Sequence, residues 1–99
     1  MITIQNIIDW AQPHRLGRGM KQLKIGNDNY TFSIVGGSDT TYGDFVDTFE
    51  VAVFNSDTDD YMTSFFFDKS DGMVASYVPG EELERVITQA NSKNDFQVR

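Results

Sequence analysis

Clusters of turn-forming residues cut the middle of this chain into runs too short for ordinary helices. Residues 26–29 (Gly-Asn-Asp-Asn), 36–44, 55–60 and 68–72 are dense in Gly, Asn, Asp, Ser and Thr. Between and after them lie residues 21–25, 30–35, 45–54, 61–67 and 73–78, rich in aromatic and β-branched side chains. This spacing predicts five strands joined by short connections, which gives an antiparallel meander. The 26–29 turn between alternating runs reads as a hairpin. The run 45–54 is the longest strand, about 33 Å at 3.3 Å per residue.

Helical spacing flanks this region on both sides. Ile4, Ile7, Ile8 and Ala11 form one apolar stripe, with Thr3 placed to cap it and Pro13 to end it. Leu83, Val86, Ile87 and Ala90 repeat the pattern after Pro79-Gly80, with Glu81, Glu82 and Glu84 near the helix start, where the helix dipole favours anions. The fold class is therefore α+β: a five-stranded antiparallel meander with an N-terminal and a C-terminal helix packed on one face, in the order α-β-β-β-β-β-α. Residues 1–99 read as a single domain, with the polar stretch 91–99 as a frayed tail.

Charge is distributed unevenly. The 44 residues from 25 to 68 hold no Lys or Arg, nine acids and ten of the thirteen aromatics. The chain's formal charge is -7, so this stretch carries -9 and the remainder +2. Such a body suits a basic protein partner and not nucleic acid, since phosphate contacts need clustered Lys and Arg. The chain has no cysteine, which excludes disulfides and thiolate chemistry and fits a reducing, cytoplasmic setting. No apolar run reaches the length of a membrane span, and the first residues lack the pattern of a secretory signal.

Catalytic and metal-binding patterns are incomplete. Asn55, Asp57 and Asp59 have the spacing that begins a calcium loop. Asp60 stands where the turn needs Gly, and Phe66 where a bidentate Glu is needed. No metal or other cofactor is expected. His14, Arg15, Arg18, Lys21 and Lys24, with Gly17 and Gly19, form a basic loop. No helix start follows the glycines, so it does not match a phosphate-binding loop. His14 is the only histidine, and no nucleophile motif accompanies it. Asp47 and Glu50 differ by three positions, so on a strand they face opposite ways. A non-enzymatic protein is the expectation.

Two groups of residues remain as partner-binding candidates. The acidic connections offer Asp39, Tyr42 and Asp44 in 36–44, and Asp57, Asp59 and Asp60 in 55–60. A tyrosine among small polar residues supplies contact area at low entropy cost. The second sheet face keeps Val46, Phe54, Met62 and Phe66, more apolar residues than a merely solvated face requires. The leading expectation is a small acidic inhibitor that binds and blocks a basic protein partner, such as a nucleic-acid-binding enzyme. In composition alone it is similar to phage-type anti-restriction and anti-CRISPR inhibitors that mimic nucleic acid, and to toxin immunity proteins. Its setting would then be the host cell cytoplasm if it is viral. The alternative is a homodimer or larger homo-oligomer, a structural or accessory subunit using the apolar sheet face.

Overall fold

A computed structural model describes residues 1–99. The elements are α1 (Ile4–Trp10), β1 (Gln12–Pro13), β2 (Lys21–Gly26), β3 (Tyr30–Gly36), β4 (Thr48–Asn55), α2 (Thr63–Phe66), β5 (Ala75–Pro79), α3 (Gly80–Ala90) and β6 (Gln97–Val98). The sheet runs β1-β2-β3-β4-β5, every neighbouring pair antiparallel, with β6 also pairing β2. This is the α+β antiparallel architecture that the turn spacing predicts.

The two long helices form for local reasons. Thr3 Oγ1 accepts the Asn6 N–H, and Asn6 Oδ1 accepts the Thr3 N–H, a reciprocal cap that satisfies two orphan donors of α1. In α3, Leu83, Val86 and Ile87 are buried at helical spacing. Ile7 of α1 joins them over the inner sheet face, whose core residues are Leu23, Ile25, Phe32, Ile34, Phe49, Val51 and Val53. Register explains the layer: Leu23, Ile34 and Val51 lie side by side across β2, β3 and β4, as do Ile25, Phe32 and Val53.

Three sequence expectations need correction. Residues 61–67 are not a strand. Only Tyr61 makes a bridge, to Phe54, and the chain then turns once as α2. A single helical turn puts Met62 with Phe66, and Thr63 with Phe67, on the inward side, while Phe65 is 80% exposed. Thr63 Oγ1 fixes the turn: it accepts the Val53 N–H at 2.9 Å and donates to the Met73 carbonyl at 2.8 Å. The strand expected over 45–54 begins only at Thr48, because Phe45 adopts φ 60° and dives into the core against Phe49. Eight residues of β4 span about 26 Å. The 91–99 segment is tied down: Phe96 packs on Phe32, Asn27 Nδ2 donates to Asp95 Oδ1, and β6 pairs Val98 with Ile25.

Candidate acidic cleft at one end of the sheet

Consecutive antiparallel strands send alternate connections to opposite ends. The β2–β3 turn and the β4–α2 turn therefore share one end, and they are stitched together. The Ser56 N–H donates to the Asn29 carbonyl at 3.0 Å, and the Thr31 and Ser56 hydroxyls lie 2.7 Å apart. Each turn also holds its own shape. Asn27 Oδ1 accepts the N–H groups of Asn29 and Tyr30. Asn55 Oδ1 accepts those of Asp57 and Thr58, and the Asp59 N–H donates to the Asn55 carbonyl. The asparagines thus spend their side chains on the backbone and leave the carboxylates outside.

Asp28, Asp57, Asp59 and Asp60 are all exposed at this end. Between the two turns lies a cleft of about 310 Å³ lined by Asp28, Asn29, Tyr30, Asn55, Asp57 and Met62. Tyr30 and Met62 supply an apolar floor, since both pack against the core and Phe66 meets Tyr30 edge-on at 5.1 Å. Carboxylates on opposite walls above such a floor suit a cationic side chain with an aliphatic stem. No three acidic or histidine side chains converge to hold a metal ion. The turn after α3 adds Asp95 nearby, whose carboxylate accepts from Asn27 Nδ2.

The opposite end is built differently. The β3–β4 loop crosses so close to β4 that a Cβ on Gly43 would stand 2.8 Å from the Phe49 Cα. Asp44 is consumed there as a structural anchor. Its Oδ1 accepts the N–H groups of Val46, Asp47 and Thr48, and these bonds lower its pKa to about 2. Asp39 sits exposed in the same loop, where the Ser38 hydroxyl donates to it at 3.4 Å. Tyr42 is 53% exposed and pairs with the equally open Tyr77, ring centroids 6.0 Å apart. The Tyr77 N–H donates to the Tyr42 carbonyl, and the Tyr42 N–H to Glu50 Oε1.

The sequence-derived site residues are thus divided. Asp57 and Met62 line the acidic cleft, and Phe66 packs against Tyr30 of its floor; Asp60 is exposed in the same turn, while Asp59 borders a separate hollow of the outer face with Lys24, Thr31, Ser33 and Phe54. Phe54 stacks on Tyr61 at a corner of the outer sheet face, 4.8 Å between centroids. Asp39, Tyr42 and Asp44 lie at the far end. The expected apolar second face does not exist as one surface. Met62 and Phe66 pack on the core side, Val46 is in a loop, and the middle of the outer face holds Gln22, Lys24, Thr31, Ser33 and Ala52. Sequence reading missed two members, Asp28 of the cleft and Tyr77 of the tyrosine pair. Strand parity places Asp28 beside Asp57; nothing in the local pattern marks Tyr77.

Comparison with known proteins supplies no relative: no family model, curated protein or solved structure matches this chain.

Proposed function

We propose that this protein is a non-enzymatic binder that takes cationic side chains of a basic partner protein into the cleft between Asp28 and Asp57, and so covers the surface it binds. The observation that carries the reading is that two stitched turns, neither holding a basic residue, place the exposed carboxylates of Asp28 and Asp57 beside Tyr30 and Met62 in one cleft. The partner class that fits is a nucleic-acid-binding enzyme, whose groove presents Lys and Arg in the manner this end would recognise. The geometry favours a compact acidic knob over an elongated nucleic-acid mimic. The far carboxylates stand one strand length away, about 26 Å, well beyond the Debye length of about 8 Å at physiological salt.

Affinity capture with the wild-type chain and with an Asp57→Asn/Asp59→Asn/Asp60→Asn variant tests this. The wild type is expected to retain a basic protein that the variant does not, with association slowing steeply as salt rises. An affinity unchanged by salt would sink the proposal.

A further inference from the structure

The β1–β2 loop, residues 14–20, is the chain's most basic segment, and its backbone is unusual. Gly17, Arg18 and Gly19 all have positive φ, at 73°, 62° and 76°. The loop closes on itself: the His14 N–H donates to the Met20 carbonyl, Gly17 to His14, Met20 to Gly17, and the Leu16 N–H to His14 Nδ1. It abuts the β3–β4 loop, since a Cβ on Gly37 would lie 3.0 Å from the Gly19 carbonyl. This tight turn holds Leu16 out at its tip, 68% exposed, with exposed Arg15 and Arg18 on either side. An apolar tip flanked by two guanidinium groups is the complement of an apolar floor flanked by two carboxylates.

We infer that this loop of one copy docks into the acidic cleft of a second copy, Leu16 over Tyr30 and Met62, Arg15 and Arg18 toward Asp28 and Asp57. The contact cannot form within one chain. Loop and cleft lie at opposite ends of β3, about 23 Å apart along the strand, in a body whose longest dimension is 33 Å. The pairing therefore needs a second copy. Two copies that exchange loops reciprocally close as a two-fold dimer; a one-way contact leaves a free cleft and a free loop and continues into a ring or an open chain. The inference rests on the proposal that the cleft takes cationic side chains. It adds that a foreign basic partner competes with the protein's own loop, so self-association regulates access to the cleft.

Sedimentation velocity over a range of concentrations at low salt tests it. The wild type is expected to self-associate as concentration rises and to dissociate as salt is added. Arg15→Glu/Arg18→Glu and Asp28→Lys/Asp57→Lys are each expected to weaken association by roughly tenfold or more, because each leaves like charges facing. Mixing these two variants rebuilds the native contact, Arg15 and Arg18 of one against Asp28 and Asp57 of the other, and a second contact with the charges exchanged, so association is expected to return in the mixture. A wild type that stays monomeric at millimolar concentration, or whose association survives both reversals, overturns the inference. Oligo-lysine titrated into Arg15→Gln/Arg18→Gln, which adds no carboxylate to the loop, separates the two levels. If it binds while the wild type remains monomeric, the self-pairing falls and the cleft reading stands; if it does not bind, both fall.

Discussion

The two ends of the sheet use the same amino acid for opposite purposes. At the β2–β3 and β4–α2 end, asparagine side chains stabilise the turns and the aspartates face solvent. At the β3–β4 end, Asp44 itself stabilises the turn, accepting three backbone N–H groups and the Thr48 hydroxyl. An acid count over residues 25–68 treats these carboxylates as equal. The hydrogen bonds show which are committed to the fold and which remain available to a partner.

The largest expected effect separates the ends by packing. Phe45→Ala removes a buried ring from the β3–β4 end and is expected to cost about 3–5 kcal/mol, measured by urea unfolding. Asn27→Ala attacks the acidic end. It strips the acceptor from the Asn29 and Tyr30 N–H groups and cuts the link to Asp95, with an expected loss of about 1–3 kcal/mol in the same assay.

Acid titration distinguishes the committed carboxylate. The folded-state pKa of Asp44, about 2, lies below its ordinary 3.8. A depressed carboxylate contributes stability that is fully present above the ordinary value and is lost as pH falls through the folded one. The melting temperature of Asp44→Asn should therefore lie below that of the wild type at neutral pH, with the gap closing between about pH 4 and pH 2. A gap independent of pH would show that the anchor does not depend on charge. The smallest stability change is expected for Asp28→Asn/Asp57→Asn, which should leave the urea midpoint nearly unmoved yet slow association with oligo-lysine. A large loss of stability there would mean that the two ends are not distinct.

Much of this was legible in the sequence. Turn composition located the connections, and helical spacing located α1 and α3, because each depends on a few neighbouring residues. The 61–67 segment reads as a strand because an aromatic-rich run between two turn clusters imitates one. What decides its shape is Thr63, whose hydroxyl captures a backbone donor of β4 ten residues away. Phe45 was placed in a strand because positive φ at an aromatic residue has no local signature; the Asp44 anchor and the pocket beside Phe49 impose it. The cleft was half legible. The 55–60 acids stand out in the sequence as a candidate site, but the hairpin that completes it reads as a separate turn.

The pairing of β6 with β2 has a consequence for colloidal behaviour. Together β1 and β6 occupy both halves of the outer margin of β2, leaving β5 as the other margin of the sheet. There Pro79 lacks a donor, and the register shift opposite Tyr77, itself at φ 52°, breaks the regular ladder. Neither margin offers a long, flat template to another strand. A chain rich in β-branched and aromatic residues is thereby protected against amyloid-like growth by its geometry as well as by its charge.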